Sequence, residues 1–163
     1  MVRAKNAKRI ARLFDEHAAK LELYASQWCE LPEDCVQEAF IELARLQGWP
    51  DRPLAWLYRV VRNRALNQSR ASKRRENHEQ VAARLRSNKL LPDPSETLAL
   101  EEALKLLEPT EREFVILRIW SGLTWQEIAE LTNTSSSGAQ RKYVAALQTL
   151  RKSLDPTCQK NLN

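Results

Sequence analysis

Only three glycines punctuate the 163 residues, and β-branched residues rarely alternate with polar ones. Both shortages argue against sheet and for an all-helical chain. No apolar run approaches the roughly 20 residues that a membrane span needs. The basic N-terminus, Met1-Val2-Arg3-Ala4-Lys5, leads into an amphipathic pattern and not into an apolar signal core. A cytoplasmic location is the expectation, with no membrane partner. Cysteine is scarce too. Cys29, Cys35 and Cys158 are odd in number and lack metal-ligand spacing, so reduced structural thiols are expected. The same spacing rules disfavour a zinc site built from Cys29, Cys35 and His17. There is no glycine-rich phosphate loop and no paired histidine–carboxylate cluster, and His78 stands alone. Nothing here supports catalysis, so neither a cofactor nor a metal is expected.

What the chain does have is an uneven distribution of charge. The net charge is only +5, yet Arg52 to Arg75 holds eight bases and no acid. Acids dominate on either side, from Glu30 to Glu42 and from Glu96 to Glu113. A basic segment between acidic ones suggests two kinds of partner surface. Read at about 100° per residue, Leu54, Leu57, Val60, Val61 and Ala65 gather on one side of a helix. Trp56, Arg59, Asn63, Asn67 and Arg70 gather on the other. A solvated helix face usually interleaves acids with bases. This one joins an aromatic ring, amides and guanidiniums without a carboxylate, as a nucleic-acid ligand requires.

Taken in order, Ile10, Leu13, Phe14, Ala18, Leu21, Ala25 and Trp28 predict one long helix, or two with a break, from about Ala7 to Trp28. His17 lies beside that stripe as a packing or surface residue. Pro32 starts a second helix, with Glu33 and Asp34 at the positive end of its dipole. Val36, Ala39, Phe40, Leu43 and Ala44 form its core side; Asp34, Gln37, Glu38, Glu42 and Arg45 face out. That acidic face reads either as solvated surface or as a dock for a basic partner. The loop Gln47 to Pro53 follows, where Trp49 either caps the core or stands out to stack. The Trp56 helix then runs to about Arg75. Between Glu76 and Thr97 the periodicity weakens, with a short turn at Val81, Ala82 and Leu85 and a Pro92-Asp93-Pro94-Ser95 stretch. The sequence thus predicts two small helical domains, 1–75 and 97–155, joined by a flexible linker over 76–96 and followed by a tail over 156–163.

The second domain opens with Ser95 as a candidate N-cap and Leu98, Leu100, Ala103, Leu104 and Leu107 as an apolar stripe. Pro109 starts the next helix, whose apolar positions are Phe114, Val115, Leu117, Ile119 and Trp120, with Gly122 at its end. Thr124 to Glu127 reads as a capping box. A last helix starts with Ser136 or Ser137 as cap and Gln140 as box partner. Its buried stripe is Ala139, Tyr143, Ala146, Leu147 and Leu150. Its outer face presents Ser137, Arg141, Val144, Ala145 and Gln148, with Gln140 and Lys142 at the margins. Two short helices across a tight polar turn make a helix-turn-helix pattern. Such a face suits a major groove, the alternative being a hairpin used only for packing.

These residues resemble a known family. Glu33-Asp34-Cys35-Val36-Gln37-Glu38-Ala39-Phe40 resembles the E-D-x-x-Q-E-x-F signature of bacterial sigma-70 factors, and Trp56 to Asn63 resembles the W-L-Y-R-I-A-R-N stretch of the same region two. Leu107 to Glu113 and Gly122 to Ala129 resemble region four. Their order and the linker resemble the small extracytoplasmic-function group. The resemblance implies that the chain binds core RNA polymerase, at the β′ clamp helices and the β flap, and promoter DNA. It implies Asp34, Gln37, Glu38 and Glu42 on the clamp helices. It implies Trp56 and Asn63 at the minus-ten element, Asn67 beside them, and Arg59, Arg62 and Arg70 on phosphates. It places Ser137, Gln140, Arg141, Lys142 and Gln148 at the minus-thirty-five element, and an anti-sigma factor is a further implied partner. The chain departs from the family in three places. The Gln47–Pro53 loop is short, Asn67 stands where Asp is common, and Gly138-Ala139 replaces the usual Thr-Val. The glycine costs the last helix about 1 kcal/mol of intrinsic stability and leaves room for closer approach to a DNA backbone. The rival readings are a stand-alone helix-turn-helix regulator and a helical adaptor that binds only protein.

Overall fold

The computed structural model describes residues 2–72 and 94–154. The chain divides into two compact units, Met1–Leu90 and Leu91–Asn163, and every described element in both is helical.

Three helices make the first unit: α1 (Val2–Ala25), α2 (Pro32–Arg45) and α3 (Pro53–Ser72). Proline stands at the first position of α2 and of α3, where its fixed φ suits a helix and its missing N–H costs nothing. The first helix is unbroken. It begins earlier than the apolar pattern indicates and ends at Ala25, leaving Trp28 in the turn beyond. Leu21, Tyr24 and Ala25 of α1 meet Val36, Ala39, Phe40 and Leu43 of α2 and Leu57, Tyr58, Val61 and Ala65 of α3 in one core. Ala44, expected beside them, is exposed; it stands at the end of α2, about 100° round the helix from Leu43. Aromatic edges tie the core together. The Tyr24 ring lies 5.2 Å from Tyr58 and 5.0 Å from Trp28; Phe14, expected in the inward stripe, is exposed at the rim, with its ring 5.0 Å from Phe40. Cys29 and Cys35 are free, buried thiols 3.6 Å apart. The neighbouring sulfur and burial both push the Cys29 thiol up. The basic cluster Lys73-Arg74-Arg75 lies outside the described residues, as do the turn expected at 81–85, His78 and Cys158.

The second unit contains α4 (Pro94–Lys105), α5 (Pro109–Ile116), a π-helical turn (Leu117–Ser121), α6 (Trp125–Thr132) and α7 (Ser136–Leu154). Four expectations change here. The helix expected to start behind a Ser95 cap already includes Pro94. Ile119 is 52% exposed, because the π-helical turn rotates the residues after Ile116 away from the α-helical register. Leu147 is exposed, lying at the edge of its helix and not in the core. The cap of α7 is Ser135, whose Oγ accepts from the Gly138 N–H at 3.0 Å, so Gln140 is no box partner. The Thr124 box forms as read: Thr124 Oγ1 accepts from the Glu127 N–H, and Glu127 Oε2 accepts from the Thr124 N–H. Gly122 and Asn133 both take left-handed backbone, with φ 72° and 53°. Arg112 of α5 donates to the Leu104 and Leu107 carbonyls at 2.7 and 3.1 Å, satisfying the end of α4. Burial holds that guanidinium's pKa down.

Candidate polymerase and DNA interfaces

On α2 the helical period sends Val36, Ala39, Phe40 and Leu43 inward and leaves Asp34, Gln37 and Glu38 exposed, with Glu42 half-buried. The exposed Ile41 lies between them. This acidic face is not simply solvated. Arg64 of α3 reaches across, bonding the Glu38 carboxylate through Nη1 and Glu42 Oε2 through Nη2 at 2.8 Å. One guanidinium between two carboxylates orders both and leaves the face negative. Arg64 is a residue that sequence reasoning passed over. A signal for it exists: at 100° per residue it falls beside Leu57, on the flank of the apolar stripe, where a guanidinium needs a carboxylate.

The opposite side of α3 carries the aromatic and basic stripe. Arg59, Asn63, Asn67 and Arg70 are exposed along it, and Trp56 is half-buried at its start. Arg62 departs from that row. It is half-buried, with its guanidinium 5.8 Å from the Trp28 ring centre. In the loop before α3, Trp49 is half-buried beneath the Arg9 guanidinium, 5.4 Å from it. Trp49 thus neither caps the core outright nor stands free.

In the second unit, α7 presents Ser137, Gln140, Arg141, Val144, Ala145 and Gln148 along one shallow groove of about 410 Å³. All five expected face residues and the marginal Gln140 are brought together there. Lys142 is not among them; its ammonium lies 5.2 Å from the Phe114 ring centre. What orients the helix is a stack at its middle. Trp125 of α6 meets Tyr143 of α7 edge-on at 5.5 Å, and Arg118 of the π-helical turn covers the Trp125 ring at 4.6 Å. Gly138 has a local structural role as well. A Cβ there would lie 2.8 Å from Thr134 Oγ1 and 2.9 Å from Ser135 Oγ, so glycine makes room for the Ser135 hydroxyl that caps the helix and for the Thr134 hydroxyl beside it. No helix among the described residues is long and apolar enough to cross a membrane.

Residues 13–75 match the family described as Sigma-70 region 2, and residues 97–150 the family described as Sigma-70, region 4. No curated protein matches the chain significantly. Among solved structures, it is similar to CnrH in complex with the cytosolic domain of CnrY, at 22% identity and a TM-score of 0.63, over 94% of this chain and 92% of that one. It is also similar to the sigma factor RpoE in complex with the anti-sigma factor NepR from Bartonella quintana, at 20% identity and a TM-score of 0.63, over 93% and 99%. At these identities the likeness is one of fold. The two matched regions stand in the order that the sigma-70 factors have. The chain belongs to the sigma-70 family and is a sigma factor that binds core RNA polymerase and promoter DNA and directs promoter-specific transcription.

Proposed function

We propose that the three faces divide this work. The α2 face, through Asp34, Gln37, Glu38 and Glu42, docks on the polymerase β′ clamp helices, with Arg64 holding the last two carboxylates in place. The α3 stripe takes the minus-ten element: Asn63 and Asn67 offer amides to base edges, Trp56 abuts the upstream edge of the melted segment, and Arg59 and Arg70 hold phosphates. Arg62, turned toward Trp28, contributes charge from the side of that stripe. The α7 groove enters the major groove of the minus-thirty-five element with Ser137, Gln140, Arg141 and Gln148, while Lys142 lies at its margin. Residues 1–75 and 97–155 serve as the two working domains. Catalysis belongs to the polymerase, and the chain works in the cytoplasm. The RpoE complex with NepR supports an anti-sigma factor as a further partner.

The observation that carries this reading is the separation of charge within one bundle. Carboxylates line α2, and no carboxylate lies among the exposed α3 residues from Arg59 to Arg70. A stand-alone regulator has no use for the first face. Trp49, engaged by Arg9, fits an anchor for its loop better than a ring that stands out to stack. Run-off transcription with purified core polymerase on a genomic fragment library tests the whole scheme. Discrete, factor-dependent starts are expected; core polymerase that neither binds the chain nor gains specificity from it overturns the scheme.

A further inference from the structure

Val144 stands in the middle of the α7 groove and is 51% exposed. A β-branched residue has reduced helix propensity, and here it gains little from burial. Arg141 precedes it by three residues and Gln148 follows by four, so all three share one face, with Gln140 and Ser137 alongside. No carboxylate lines the groove. The short Ser137 and Ala145 side chains leave Val144 open to a close approach.

In the major groove, base pairs differ in their hydrogen-bonding edges and in one apolar feature, the thymine C5 methyl. We propose that Val144 is the specificity residue for a thymine in the upstream promoter element, packing its methyl groups against that C5 methyl. The inference rests on the reading of α7 as the minus-thirty-five helix and deepens it. The neighbours supply the polar part of the readout: Arg141 suits a guanine edge and Gln148 an adenine edge on adjacent base pairs. A protein ligand at Val144 fits the surroundings less well. It would have to cover a guanidinium and two amides along with the valine, and each needs a partner once water is removed.

The test uses holoenzyme assembled from core polymerase and the full chain, on a promoter recovered by run-off transcription. Each thymine of the upstream element is replaced in turn by deoxyuridine, which lacks only the C5 methyl. One replacement should weaken duplex binding about fourfold, the size expected for returning a single methyl group to water. In V144A holoenzyme that same replacement should have no effect, while replacements elsewhere behave as before. An element without thymine, or a fourfold loss that persists in V144A, overturns the inference. So does V144A that weakens binding to core polymerase itself, which would make Val144 a protein contact. R141A and Q148A separate the two levels. If both leave duplex binding unchanged, the reading of α7 fails; if they weaken it while every deoxyuridine is silent, only the Val144 assignment falls.

Discussion

The two units solve the problem of holding a binding face in opposite ways. The first uses length: helices of 24, 14 and 20 residues bury a continuous aromatic and aliphatic core, and their outer faces are carried as a by-product. The second uses termini. Its α5 and α6 are only 8 residues each, well below the ~12–15 at which an isolated helix becomes even marginal in water. Around them cluster the capping box at Thr124, the left-handed Gly122 and Asn133, the Ser135 cap and the Arg112 bonds to α4. A second contrast follows the first. The bundle carries exposed carboxylates on α2 and exposed bases on α3 and links the two helices through Arg64, whereas the second unit puts its groove on one helix.

If that contrast is right, removing core from the first unit should cost more than removing a cap from the second. Leu57→Ala, at a fully buried site in the bundle, should destabilise by about 2–5 kcal/mol in denaturant unfolding of the full chain. A cost below about 1 kcal/mol would remove burial as the basis of the first unit. Next in size is the division of partners. On the proposed docking role of α2, replacing Glu38 and Glu42 together by Lys should weaken core-polymerase binding about tenfold or more, since it reverses two charges of that face and breaks both bonds to Arg64. Unchanged affinity in equilibrium binding would strip the α2 face of its role. Thr124→Ala should cost about 1 kcal/mol, read as a lowered melting temperature, because one side of the capping box is lost.

The smallest effect is set by pH. Burial, and then the Lys20 charge, hold the His17 pKa below its ordinary value. The folded chain therefore binds fewer protons there than the unfolded chain, and stability falls as pH drops through about 6.5, the usual imidazole range. His17→Gln should flatten the fall in melting temperature between neutral and mildly acidic solution. An identical slope in both proteins would show that the site does not sense protonation.

Much of this arrangement is legible in the sequence because it rests on local rules. Pro32 at the first helical position and the Thr124–Glu127 box declare helix starts within four residues, and the α3 stripe follows from its period alone. What escapes depends on partners or on register. Arg64 matters because of two carboxylates more than twenty positions away. Ile119 falls outside the apolar row because the extra residue of a π-helical turn breaks the period that would place it there. Ser135 is chemically equivalent to the expected caps Ser136 and Ser137, and only the backbone path selects it instead of them.

On the proposed reading of α7, the crowding at Gly138 bears on how promoter preference could be transplanted. Exchanging α7 for the corresponding helix of a relative with threonine at that place would bring a side chain into space held by Thr134 and Ser135. The donor's DNA-reading residues would arrive on a helix whose start no longer fits its socket. A graft should therefore begin at the turn, with 134–138 moved as one piece.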